Sequence, residues 1–224
     1  MEELLNNIYY DSGNPAGFSS VQKLYNAAKN KDPGVKYSDV KNWLSKQITY
    51  TLHRPAKRNF LRNKILVGGV KEQYQADLVD LSMFKSYNRG YSYIITIIDC
   101  FSRYAWAIPL KNKSAESILH ALKSVFNYSK PEKLQTDRGK EFLNSKVQNY
   151  LNDENISFFT THNATFKCAI VERFNRTLKG QMWKRFTKNG NRNYIDHLEN
   201  ILFAYNNSYH RTINPLMLIK KIKI

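Results

Sequence analysis

The residues best suited to chemistry are three acids: Asp77 in YQADLVDL, Asp137 in LQTDRGKEF and Glu172 in CAIVERFNRTLK. Asp77 stands among Ala76, Leu78 and Val79, in a stretch that reads as a buried strand. A carboxylate in such a place costs free energy unless something pairs with it or binds it. Asp137 falls where a short strand ends in a Gly-containing turn, and Glu172 falls on a strong helix pattern. The first two acids are separated by 59 residues and the last two by 34. Acids carried on a strand, a strand end and a helix can converge on a divalent cation, and hard cations prefer oxygen ligands.

Other acids compete for the same role. Asp80 is three residues from Asp77, so on a regular strand the two point to opposite faces, and Asp80 reads as structural. Asp99, in IIDCFSR, can bond the turn at Ser102 and Arg103 and also reads as structural. Glu141 is expected to begin a helix running to Asn152, where the dipole favours a negative charge, and it is not taken as a ligand.

The motifs around these acids, namely QADLVDL, YIITIIDCFSRYAWAIPLK, LQTDRGKEF, VERFNRTLKGQMW and YNNSYHRT, resemble the DDE integrases. The similarity is to retroviral integrases and, more closely, to the integrases of Polinton/Maverick-type DNA transposons. It covers Lys71 to Thr212, with weaker similarity of the Polinton type back to Tyr9. The resemblance implies a ribonuclease-H-like α/β fold, a mixed sheet flanked by helices. It implies a DDE-type polynucleotidyl transferase that processes the DNA ends of a mobile element and joins their 3′-hydroxyls to target DNA. Such chemistry needs carboxylates that hold two hard cations about 3.5–4 Å apart, one at the attacking oxygen and one at the leaving oxygen. By the resemblance the cofactor is two Mg2+ (or Mn2+) ions, with Asp77 bridging both, Asp137 on one and Glu172 on the other. It also implies element-end and target DNA as partners and a homo-oligomer. HNATFK, His162 to Lys167, resembles the family's mobile active-site loop, and His162 is read as a polar loop residue.

Bulk composition points the same way. The 224 residues leave room for one main core and a small accessory domain, and 42% hydrophobic with 13% aromatic content supports a packed globule. A formal charge of +17 and a pI near 9.8 favour a polyanionic partner, with nucleic acid the default. There is no long apolar run, amphipathic basic anchor or signal pattern to suggest a membrane. Cys100 and Cys168 sit in apolar surroundings and read as small buried hydrophobes in a reducing compartment. The expected location is intracellular, and nuclear in a eukaryotic host.

In chain order, residues 1–50 read as a helical N-terminal region. Val21, Leu24, Tyr25 and Ala28 form one helix face with Ser19 or Ser20 as N-cap, and Asp32-Pro33-Gly34 breaks that helix. Ser38 or Asp39 is expected to cap a second helix carrying Val40, Trp43 and Leu44. The lysine-rich pair resembles a helix-turn-helix unit. His53 has no cysteine nearby, so the zinc module of retroviral integrases is not expected. Residues 51–70 read as a basic linker in which Arg54, Lys57 and Arg58 are candidate phosphate contacts.

Residues 71–212 read as the catalytic core. Three strands come first, with a turn at Asn88-Arg89-Gly90 after the first. A helix capped by Ser114, a strand at KLQTD, the helix from Glu141 and the strand ISFFTT follow. Helices over 169–188 and 193–209 close the core. Arg176 and Lys179 lie four and seven residues beyond Glu172, hence on its helix face, opposite Phe174, Leu178 and Met182. Retroviral integrases place cations there for end contact, so the resemblance implies that Arg176 and Lys179 bind DNA. The tail 213–224 is expected to hold neither the SH3-like domain nor the chromodomain found in the resembling families. Two other readings remain: a non-catalytic or domesticated DNA-binding remnant of a transposon integrase, and a plain ribonuclease-H-like nuclease.

Overall fold

The computed structural model describes residues 1–53, 65–160 and 168–210. Arg54, Lys57, Arg58, His162 and the tail 213–224 lie outside these residues. The described helices are α1 (Glu2–Tyr9), α2 (Val21–Lys31), α3 (Tyr37–Ser45), α4 (Ile48–Thr51), α5 (Ala115–Phe126), α6 (Ser145–Asp153), α7 (Ala169–Asn189) and α8 (Leu198–Asn206). The described strands are β1 (Gln73–Asp80), β2 (Tyr93–Asp99), β3 (Ala105–Leu110), β4 (Lys133–Thr136) and β5 (Ser157–Thr160). By its internal contacts the chain divides into two compact units, Met1–Asn59 with Thr177–Ser208, and Phe60–Arg176 with Tyr209–Ile224.

The larger unit is built on one five-stranded sheet in the order β3-β2-β1-β4-β5. Strands β1, β2 and β3 run antiparallel, while β4 and β5 run parallel to β1. Ile94 to Asp99 of β2 are all buried, the continuous pattern of a strand covered on both faces. β5 alternates exposed and half-buried, as an edge strand does. Between β1 and β2 the chain makes a short 3-10 helix (Ser82–Tyr87) and then a turn with Arg89 at φ 52° and Gly90 at φ 85°. The glycine is the residue that takes this left-handed backbone at no steric cost. Ile118, Leu122 and Val125 of α5 join Tyr74, Ile97, Leu134 and Phe142 in one core cluster. Ser114 caps α5 as expected, its hydroxyl accepting from the Ser117 amide.

Helix α6 departs from expectation. It begins at Ser145, not at Glu141, because the Asn144 side chain accepts from the Val147 amide and fixes the N-cap there. Glu141 lies in the preceding turn.

The smaller unit packs Leu5, Ile8 and Tyr9 of α1 with Leu24 and Ala28 of α2 and Val40, Trp43 and Leu44 of α3. Ser20 caps α2. α3 starts at Tyr37 with Lys36 as a bare N-cap, so neither Ser38 nor Asp39 has the capping role expected of it. By internal contacts, residues 177–208 group with this unit. The cause is a set of long-range bonds from the end of α7 to the segment after α1. Lys184 donates to the Phe18 carbonyl at 2.6 Å, Arg185 to Ser12 at 3.1 Å and Lys188 to Tyr10 at 3.1 Å. That segment closes tightly: a Cβ on Gly17 would lie 2.1 Å from the Asp11 carbonyl oxygen. Residues 193–209 do not form one helix but a 3-10 turn (Ile195–His197) followed by α8.

Candidate active site

The parallel pairing of β1 and β4 brings the first two acids together. Gln75 is opposite Gln135, so Asp77 on β1 and Asp137 just past the end of β4 each follow two residues later. Neighbouring strands lie about 4.8 Å apart. Asp77 is half-buried, and its Oδ1 accepts from the Leu78 amide at 2.8 Å. Its Oδ2 accepts from Asn175 Nδ2 at 2.6 Å. Asp137 lies one residue past β4, is exposed, and accepts the Gly139 amide on Oδ1 at 3.0 Å. Glu172 is exposed in the first turn of α7, where the helix dipole favours its charge.

The electrostatics tie the three together. Burial raises the pKa of Asp77 above the ordinary carboxylate value, and the charges of Asp137 and Glu172 raise it further. The hydrogen bonds from the Leu78 amide and Asn175 pull the other way. Among the described residues, no three His, Cys, Asp or Glu side chains stand close enough to form a ready-made metal cage. Carboxylate oxygens are the donor chemistry that Mg2+ takes, an ion that keeps water or substrate phosphate in the rest of its shell.

Asn175 was missed by sequence reading. It is buried, it lies one helical turn beyond Glu172, and its Oδ1 has no hydrogen-bond partner. A buried acceptor left unmade is costly. Asp77→Asn can keep the contact with Asn175, with Asn175 Nδ2 donating to the new carboxamide oxygen. The substitution also removes a charge that folding disfavours. Because the folded pKa is raised, the folded state binds the proton more tightly, and stability falls as pH rises through the window above the ordinary carboxylate value. We therefore expect metal-free Asp77→Asn to be more stable than the parent at neutral pH by about 1 kcal/mol, the usual scale for relieving strain kept for function. The gain should shrink in acid, where the parent Asp77 is protonated. Urea unfolding at several pH values checks this; a neutral-pH loss of stability would show that the carboxylate is not strained.

The competing acids behave as structural groups. Asp80 is exposed and accepts the Ser82 amide. Asp99 is fully buried and accepts the Phe101 amide, the Ser102 hydroxyl and the Lys71 amide. Glu141 folds against Gly139, where a Cβ would lie 2.6 Å from its carboxylate. Both cysteines are buried and neither is in a disulfide. Arg176 and Lys179 are exposed on α7, while Val171, Phe174, Leu178 and Met182 are buried. Arg176 closes the larger unit and Lys179 falls in the smaller.

The sheet order, with helices against a mixed sheet, defines a ribonuclease-H-like fold, and similar solved structures share it. A chain of the simian T-cell lymphotropic virus intasome, in complex with PP2A regulatory subunit B56 gamma, superposes with a TM-score of 0.59 at 20% identity, covering 87% of this chain and 69% of that one. The HTLV-2 integrase catalytic core domain, in complex with magnesium, gives 0.51 at 22% identity over 65% of this chain and 90% of that one.

Within that fold, residues 70–165 match the family model described as the integrase core domain. A transposon-derived protein of Caenorhabditis elegans is 37% identical over 135 residues, 59% of this chain and 47% of that protein. The Gag-Pol polyprotein of feline leukemia virus is 27% identical over 139 residues, 58% of this chain and 8% of the polyprotein. The chain thus spans less than half the length of these curated relatives. No described helix is long and apolar enough to cross a membrane.

Proposed function

We propose that this chain is the catalytic part of the integrase of a mobile DNA element, of the Polinton/Maverick type its motifs resemble. The observation that carries the reading is the placement of Asp77 on β1 and Asp137 just past the paired strand β4, both inside the segment matched as integrase core domain, with Glu172 in the first turn of α7 and its charge, like that of Asp137, acting on Asp77. The three carboxylates would hold two Mg2+ ions. When bound, such a pair activates the attacking oxygen and stabilises the leaving one.

In the joining step the 3′-oxygen of an element end bonds to a target phosphorus in line with the bond that breaks. The target strand's own 3′-oxygen leaves with the electron pair, so one phosphodiester replaces another. Asn175 holds Asp77 in orientation by its 2.6 Å bond. Arg176 and Lys179, with Arg54, Lys57 and Arg58, neutralise backbone phosphates and steer the end toward the acids. The α2–α3 pair is a second DNA contact, of helix-turn-helix kind. The active form is a homo-oligomer, and its place of action in a eukaryotic host is the nucleus.

The test is incubation of the protein with labelled element-end DNA, a target duplex and Mg2+. Joined product is the expected result. DNA binding without any joining, under conditions where the protein is folded, would favour a non-catalytic DNA-binding remnant instead.

A further inference from the structure

Three glutamines lie along the line between the strands and the helix that carry the acids, and none is an ionisable or metal-binding group. Gln75 is fully buried on β1, two residues before Asp77, and therefore on the same face of the strand. Its Oε1 accepts the backbone amides of Ile170 and Val171, both at 3.0 Å. These are first-turn amides of α7, donors that the helix itself cannot satisfy. Glu172 is the next residue. The Gln75 Nε2 donates to Gln135 Oε1 at 2.8 Å, and Gln73 Nε2 donates to the same oxygen at 2.8 Å. Gln135 is itself buried on β4, two residues before Asp137.

We infer that Gln75 and Gln135 are positioning residues that set the three acids in register, an inference that rests on the proposed metal site. Each acid follows one or two residues after a group held in this chain of amides. The start of α7 is fixed by a side chain of β1, and that side chain is fixed by one of β4. An apolar residue at position 75 would serve the core equally well. It would leave the two helix amides without the acceptor, and buried donors seldom go unpaired. Glutamine supplies both an acceptor for the helix and a donor for β4, which an acid or a hydrocarbon cannot do together. With the register loosened, Glu172 moves relative to Asp77, and cation affinity falls before the fold does.

The experiment uses the full chain and Mn2+ as the probe, with affinity read from the electron paramagnetic resonance of free Mn2+. Gln75→Met and Gln135→Met are compared with Gln148→Met, which removes a similar side-chain bond to the Phe142 carbonyl away from the acids. Amide exchange at Ile170 and Val171 is followed without metal. The expected result is faster exchange at those two amides in Gln75→Met and about a tenfold or greater loss of Mn2+ affinity in both variants, the scale of supporting-residue effects on metal sites. Gln148→Met should bind Mn2+ like the parent. Gln135→Met keeps the test valid should Gln75→Met not fold. Parent-like Mn2+ affinity in every folded variant overturns the inference while leaving the metal site standing. A parent protein that binds no Mn2+ overturns the metal site itself and the inference with it.

Discussion

Asp137→Asn is expected to abolish joining of element ends to target DNA and to leave DNA affinity close to that of the parent. Asp137 is exposed, bonded through one oxygen to the Gly139 amide, and an asparagine can keep that bond through its own carbonyl oxygen. The fold should therefore be unaffected. What is lost is a negative oxygen beside Asp77. Members of a constellation that acts as one unit typically cost a factor on the order of 10³ or more when removed singly. A gel assay of joined product, paired with a binding isotherm on the same DNA, measures both. Parent-like joining by Asp137→Asn would remove this residue from the site.

DNA affinity is expected to fall steeply with salt. Arg54, Lys57, Arg58, Arg176 and Lys179, each neutralising one phosphate, give a slope of log K on log salt of about −4.5. Between 50 and 200 mM salt, that slope lowers affinity about 500-fold. Arg58→Ala should reduce the slope by about one and weaken all sequences alike. Lys179→Ala should behave differently, since Lys179 is exposed on α7, seven residues beyond Glu172, and the proposed function gives it the role of positioning an end for attack. Misplacement of a reacting end can cost about 100-fold in rate while binding survives. Lys179→Ala should thus lose more joining than affinity. Untouched joining in Lys179→Ala, with joining destroyed in Arg58→Ala, would show that the cations were assigned to the wrong ends of the DNA.

The parts of this molecule that were legible in the sequence are those with local signatures. Ser20 and Ser114 announce helix starts because a capping hydroxyl sits directly before an apolar periodic run. The β-branched run of β2 and the Asn88-Arg89-Gly90 turn are likewise local, while the ribonuclease-H-like fold was implied by the family resemblance. Asp77 stood out because charge in apolar company is conspicuous, and Asp137 and Glu172 stood out through the motifs that carry the resemblance. The start of α6 was misplaced because Glu141 was weighed as a helix-start charge, while Asn144 is the residue whose side chain makes the cap. Asn175 and Gln75 were invisible for a different reason. Amide side chains carry no charge, and their partners lie 98 and 95 or 96 residues away in the chain. A glutamine amid apolar strand residues is nonetheless a usable signal, since burying its amide demands a partner. The bonds from Lys184, Arg185 and Lys188 to the segment after α1 are equally long-range. No local pattern separates these cations, which fold the smaller unit, from those proposed to meet DNA.

The most direct single measurement is the anomalous scattering of Mn2+ in crystals of this chain grown or soaked with the ion. The expected result is a peak at ligand distance from the carboxylates of Asp77 and Asp137, with Glu172 at the same peak or at a second one about 4 Å away. Mn2+ peaks elsewhere on the chain, with none touching Asp77, would contradict the assignment of these three acids to a common metal site.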